Sequence, residues 1–156
     1  MELIIFIGLQ GAGKSTFYRR NFAQTHVLIS KDLMRNNKKP ARRQAQLIKE
    51  NLTSGNSVVV DNTNPTREDR AAIIDIAKNY PAMVIGYYFQ SKVRDCLQRN
   101  QQRTGKAKVP DKAIYITQKK LVLPDYREGF DKLFYVKIAP SGEFAIAPWK
   151  LPENRV

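Results

Sequence analysis

The sequence predicts an α/β fold, a mainly parallel sheet flanked by helices. Three observations carry that expectation. Short apolar runs at residues 3–7, 58–60 and 83–89 are bounded by polar segments, as strands covered on both faces are. Stretches with helical spacing alternate with these runs, the pattern of βαβ units. Between the first run and the first helix stands Gly8-Leu9-Gln10-Gly11-Ala12-Gly13-Lys14-Ser15-Thr16, which fits G-x-x-x-x-G-K-[ST]. Strand, glycine loop and helix together define a P-loop NTPase/kinase fold, here with a short helical lid expected at about 99–110.

The elements follow in order. Leu3-Ile4-Ile5-Phe6-Ile7 is a fully buried strand, and residues 15–22, free of Pro and Gly, start a helix. Glycines let backbone N–H groups converge on phosphate, and the helix N-terminus favours negative charge. Gly8, Gly11, Ala12, Gly13, Lys14, Ser15 and Thr16 are therefore the expected nucleotide cradle. Lys14 is expected to reach the β/γ-phosphates and Ser15 to ligate Mg²⁺. His26-Val27-Leu28-Ile29 is a second strand, with the lone His26 read as structural. Asp32 and Arg35 follow its carboxyl end, on the rim where ligands bind in open α/β sheets.

Residues 31–43 carry Lys31, Arg35, Lys38, Lys39, Arg42 and Arg43 against one acid, Asp32. Six cations beside one carboxylate suit a phosphate track with a chemical group at its mouth; a solvated loop and helix face is the plainer reading. Ala45, Leu47, Ile48 and Leu52 give an amphipathic helix over 41–52. Val58-Val59-Val60 closes on Asp61, an acid placed to orient the Mg²⁺ shell. Thr66 is an N-cap with Asp69 three residues on, opening a helix over 67–79.

Residues 83–89 form the fourth strand. The next helix carries Arg99 and Arg103, four apart and so expected on one face, where they could clamp a transferring phosphoryl group. Thr104-Gly105-Lys106-Ala107-Lys108 has the polarity of a lid. Val109-Pro110-Asp111 opens a helix expected to end before Leu123-Pro124. Residues 133–136 and 144–146 are strands. Asp125, Glu128 and Asp131 read as a solvated acidic patch, and the stretch 148–156 with Trp149 as irregular, without a role.

Composition narrows the class of function. Length points to one compact domain, 1–156, and the single Cys96 fits a reducing, cytoplasmic setting. No run approaches a membrane span. Lys plus Arg total 27 against 14 Asp plus Glu, a formal net charge of +13. A nucleotide needs only a few cations, so this excess points to a nucleic-acid partner. A GTPase switch would need N-K-x-D, and Asn37-Lys38-Lys39-Pro40 fails at its last position.

These residues together resemble the kinase domain of the polynucleotide 5′-kinases. The resemblance rests on the P-loop, on Ser30-Lys31-Asp32 followed by Arg35, and on Asp61-Asn62-Thr63-Asn64-Pro65 after its strand. It also takes in Arg99-Asn100-Gln101-Gln102-Arg103 and Val109-Pro110-Asp111-Lys112, continuing to Pro124 and Glu128-Gly129-Phe130. It implies ATP, or another NTP, as phosphate donor with Mg²⁺, and single-stranded or end-accessible 5′-OH RNA or DNA as acceptor. It implies Asp32 as general base, Arg35 on the acceptor-end phosphate, Lys14 and Ser15 on phosphates and metal, and Arg103 with Arg99 as lid arginines on the donor. Many relatives carry a fused 3′-phosphatase or ligase domain; 156 residues leave no room for one, so kinase activity alone is expected. Two alternatives stay open: a small-molecule phosphotransferase of the zeta-toxin, nucleoside or antibiotic kind, and a nucleotide-driven binding protein with no acceptor.

Overall fold

The computed structural model describes residues 1–34 and 36–150. Its core is one six-stranded sheet. The strands are β1 (Glu2–Ile7), β2 (Val27–Ile29), β3 (Val58–Asp61), β4 (Met83–Phe89), β5 (Lys132–Ile138) and β6 (Phe144–Pro148). Their order is β2-β3-β1-β4-β5-β6, parallel except for the antiparallel β5–β6 pair. The helices are α1 (Lys14–Asn21), α2 (Pro40–Thr53), α3 (Arg67–Ala77), α4 (Val93–Gln101) and α5 (Asp111–Lys120).

The apolar runs form strands because helices cover both of their faces. Leu3, Ile5 and Ile7 of β1 point into a core closed by Ile48 and Leu52 of α2 and Ile73, Ile74 and Ala77 of α3. Ile4 and Phe6 point the other way, onto Phe17 of α1, Cys96 of α4 and Ile114 of α5. Burial without alternation is what a parallel sheet requires. Phe6, Phe17 and Phe89 meet edge to face at centroid separations of 5.1–5.8 Å, which fixes α1 on the sheet.

Topology then places the site. From β1 the chain crosses to β2 on one side, and from β3 it crosses to β4 on the other. The reversal lies between β1 and β3, whose register sets Phe6 beside Asp61. Ligands bind in open α/β sheets at such a point, beyond the carboxyl ends of the strands.

Helix α5 ends at Lys120, before Leu123-Pro124 as expected, and the Val122 N–H then donates to the Pro65 carbonyl at 2.8 Å, drawing the chain toward the loop after β3. Helix α3 stops at Ala77, short of the expected Asn79, where turn bonds donated by the Asn79 and Tyr80 N–H groups to the Ile76 and Ala77 carbonyls replace the helical ladder. The stretch from Pro148 onward is irregular at Trp149 and Lys150, as expected, but it is not without a role. Pro148 ends β6, and Trp149 is buried against Tyr88 and Tyr135, its backbone N–H donating to the Leu133 carbonyl at 2.9 Å. Residues 151–156 lie outside the described residues.

Of the acidic patch, Asp131 is exposed as expected, but Glu128 is not solvated. Glu128 forms a two-pronged ion pair with Arg70, Oε1 to Nε at 2.8 Å and Oε2 to Nη2 at 3.1 Å, and Arg70 is fully buried. Asp131 accepts from the Val84 N–H at 2.8 Å, and Asp125 caps a short 3₁₀ turn. His26 is structural as expected, held between Glu2 (2.8 Å) and Thr25 (2.7 Å).

Candidate active site

The P-loop turns from β1 into α1 on two left-handed glycines. Gly11 has φ 83°, and a Cβ there would stand 2.6 Å from the Cys96 carbonyl oxygen. Gly13, φ 99°, occupies the N-cap of α1 and offers no side-chain acceptor. The first N–H groups of α1 are thus left for a ligand, and no acid occupies the first turn. Behind the loop, buried Ser91 accepts from the Leu9 N–H (3.0 Å) and donates to the Phe89 carbonyl (2.8 Å).

Lys14 is buried, its Nζ donating to the Gly8 and Leu9 carbonyls at 2.8 and 2.7 Å. Burial lowers its pKa from 10.5 to about 8, against the opposing pull of Asp61. The Ser15 hydroxyl donates to Asp61 Oδ2 at 3.1 Å. Burial pushes the Asp61 carboxyl up from its ordinary range, partly offset by Lys14 and by the Ser15 hydrogen bond. A buried carboxylate beside a hydroxyl is a hard-oxygen pair that fits a divalent cation such as Mg²⁺.

The loop after β3 binds the rim together. Asn62 accepts from the Lys31 N–H (2.9 Å) and donates to Gln44 of α2 (2.7 Å). Asn64, at φ 43°, donates to the Phe6 carbonyl (2.8 Å), and its own carbonyl accepts from Arg70 Nη1 (3.0 Å). The Thr63 carbonyl accepts from the Gly8 N–H at 3.0 Å. Asp32 sits in a 3₁₀ turn, Lys31–Met34, its N–H donating to the Ser30 hydroxyl at 3.2 Å.

Arg99 and Arg103 do not share a helical face. Helix α4 ends at Gln101 because Asn100, fully buried, turns its side chain to the Val109 backbone, donating to its carbonyl at 2.7 Å and accepting from its N–H at 3.0 Å. Arg99 stays on the helix and donates to the Gly11 carbonyl at 3.1 Å. Arg103 lies beyond the helix and donates to the Ala107 carbonyl at 3.2 Å.

Three cavities adjoin one another along the rim. The central one, about 270 Å³, is lined by Gly11, Lys14, Ser15, Lys31, Asp61 and Arg103 among others. A flanking cavity of about 190 Å³, with Arg20, Arg99 and Phe144 in its wall, shares Gly11 and Arg103 with the centre. A larger cavity of about 550 Å³ lies on the other side, with Ile29, Met34 and Leu47 as apolar lining and Asn37 and Arg43 as polar lining. Among the described residues it shares only Asp32 and Lys106 with the centre.

The expected cations separate accordingly. Lys31 lines the central cavity and Arg43 the larger one; Lys38, Lys39 and Arg42 are exposed and line neither. Arg35 lies outside the described residues. The sequence reading passed over Asn62, Asn64, Ser91, Asn100 and Lys106 as site-building residues. Only Asn62 and Asn64 carried a local signal, the Asn-Thr-Asn-Pro turn at the carboxyl end of a strand.

Sheet order, glycine loop and its lysine define a P-loop kinase, a phosphotransferase of the P-loop class. Residues 3–124 match the family described as AAA domain, and the chain belongs to it. A bifunctional polynucleotide phosphatase/kinase of Schizosaccharomyces pombe is 26% identical over 133 residues, 83% of this chain and 32% of the relative. A putative bifunctional polynucleotide phosphatase/kinase of Acanthamoeba polyphaga mimivirus is 32% identical over 141 residues, 85% of this chain and 32% of the relative. The chain thus spans about a third of the length of these two. An L-seryl-tRNA(Sec) kinase of Methanococcus maripaludis is 28% identical over 144 residues, 83% of this chain and 56% of the relative. Among solved structures, Chaetomium thermophilum Kti12 with ADP-AlF3 superposes with a TM-score of 0.72 at 18% identity, covering 90% of this chain and 92% of that one. A fungal RNA kinase gives 0.68 at 15% identity, covering 88% and 76%. At these identities the likeness is one of fold. No helix among the described residues is long and apolar enough to cross a membrane.

Proposed function

We propose that this chain is an ATP-dependent polynucleotide 5′-hydroxyl kinase, acting on 5′-OH RNA or DNA ends. One observation carries the reading: Asp32 lines both the P-loop cavity and the larger cavity beside it, so a carboxylate stands between a phosphate cradle and an acceptor-sized space. The net charge of +13 and the named activities of the two polynucleotide phosphatase/kinase relatives favour a nucleic-acid acceptor.

In this reading ATP places its phosphates over the α1 N-terminus, with Lys14 leaving the Gly8 and Leu9 carbonyls for the β/γ-phosphates. Arg103 stands on the donor side of the transferring phosphoryl group. Ser15 and Asp61 would hold Mg²⁺, which when bound neutralises charge on the β- and γ-phosphates. The acceptor hydroxyl enters from the larger cavity and Asp32 takes its proton, since a sugar hydroxyl is a weak nucleophile. Lys31 and Arg43, with Arg35, guide the acceptor strand; Lys38, Lys39 and Arg42 meet its phosphates farther out.

A second reading has one observation in its favour. A cavity of about 550 Å³ with a mixed apolar and polar lining also suits a single small molecule. Labelled ATP with Mg²⁺ and a panel of 5′-OH RNA, 5′-OH DNA, 3′-phosphate oligonucleotide and free nucleoside separates the two. Label on the 5′ ends is expected. Label on the nucleoside alone would overturn the polynucleotide reading.

A further inference from the structure

The lid presents more than one cation to the site. Arg103 lines the central cavity and the flanking one, while Lys106 lines the central cavity and the larger one. The lid's shape is fixed at its base by the paired hydrogen bonds between Asn100 and Val109. Within it, Arg103 holds the Ala107 carbonyl, and the Lys108 N–H donates to the Gly105 carbonyl at 3.2 Å. Gly105 turns the chain at φ 61° just before Lys106. Of the described residues, only Asp32 and Lys106 face both the phosphate cradle and the acceptor space.

We propose that Lys106 is a catalytic residue that hydrogen-bonds the phosphoryl group in transit, on its acceptor side, while Arg103 stays with the donor. The inference rests on Asp32 acting as the base of a phosphotransferase, and it holds for any acceptor that fills the larger cavity. The step balances without a further reactant. The acceptor hydroxyl proton passes to the Asp32 carboxylate. The acceptor oxygen bonds to the γ-phosphorus, and the bond from that phosphorus to the β–γ bridging oxygen breaks, its electron pair leaving with ADP. Lys106 donates hydrogen bonds to the non-bridging oxygens and gives up no proton. A flexible point charge suits a group that moves between two sites, where a fixed guanidinium fork suits the donor.

Lys106→Ala and Lys106→Arg, assayed for transfer from labelled ATP to a 5′-OH oligonucleotide, test this. Loss of one such donor is expected to lower kcat by about 10²-fold in Lys106→Ala, with the ATP dissociation constant changed less than about threefold. Lys106→Arg, which keeps the charge, should regain about tenfold of that loss. A Lys106→Ala kcat near wild type, a loss confined to the KM for ATP, or a loss that arginine leaves unrestored would each overturn the proposal. If the wild type labels a nucleoside but no oligonucleotide, the polynucleotide reading falls and the same variants on that nucleoside decide the role of Lys106. A wild type that labels no acceptor removes the base reading, and this proposal with it.

Discussion

Glu128→Ala is the substitution whose consequence is best set by the structure. It leaves the Arg70 guanidinium, fully buried, without its two-pronged carboxylate. Breaking one side of a buried ion pair costs about 3–5 kcal/mol, because the remaining charge stays desolvated. For a chain of this size about 1 kcal/mol moves the unfolding midpoint by about 2–4 °C, so a fall of roughly 6–20 °C is expected. The effect reaches the site, since Arg70 also holds the Asn64 carbonyl and Asn64 holds the end of β1. Thermal and urea unfolding of Glu128→Ala, Arg70→Met and the double variant form the test. The double variant should recover much of the loss, because an apolar pair of similar volume tolerates that environment better than a lone charge. A Glu128→Ala loss below about 1 kcal/mol, or strict additivity in the cycle, would refute the reasoning.

Other predictions concern the nucleotide side. Lys14, with its pKa lowered to about 8, is charged in the free protein below that pH and neutral above it. A bound phosphate favours the charged form, so ADP affinity in EDTA should be flat below pH 8 and weaken by about tenfold per pH unit above it. An affinity flat to pH 10 in calorimetric titration would remove Lys14 from phosphate binding. The same shift has a consequence for the fold: Lys14 charging opposes folding below about pH 8, and its contribution to stability rises from there toward 10.5. Gly11→Ala puts a methyl 2.6 Å from the Cys96 carbonyl at a left-handed φ, and should abolish nucleotide binding while the sheet still folds; retained ADP binding contradicts the close approach. Arg103→Ala should lower turnover far more than oligonucleotide affinity, and equal losses in both would place Arg103 on the acceptor.

What was legible in the sequence was what local chemistry encodes. The P-loop motif, the unbroken apolar run of β1 and the Asp61 that ends β3 together placed Lys14, Ser15 and Asp61 beside one another. Thr66 capped α3 by accepting from the Asp69 N–H as its position suggested. What was missed depends on contacts distant in sequence. Glu128 meets Arg70 from 58 residues away, so an ion pair read as loose acidic surface. Periodicity alone extends α4 through Arg103, whereas Asn100 diverts the chain by binding Val109 and leaves Arg103 beyond the helix that carries Arg99, although both line the flanking cavity. Trp149 is buried only because β6 returns antiparallel beside β5, which no local pattern announces. Lys106 stood in a polar segment and nothing in its neighbours marked it; its place comes from two cavities meeting there.

The most direct test is phosphoryl transfer by Asp32→Ala. Single-turnover assays with labelled ATP, Mg²⁺ and a 5′-OH oligonucleotide would be run beside ATP-binding titrations on the same protein. The proposed role predicts a fall in transfer of about 10²–10⁴-fold with ATP affinity nearly unchanged. Transfer at close to the wild-type rate would contradict a carboxylate base between the two cavities, and with it the assignment of the larger cavity to the acceptor.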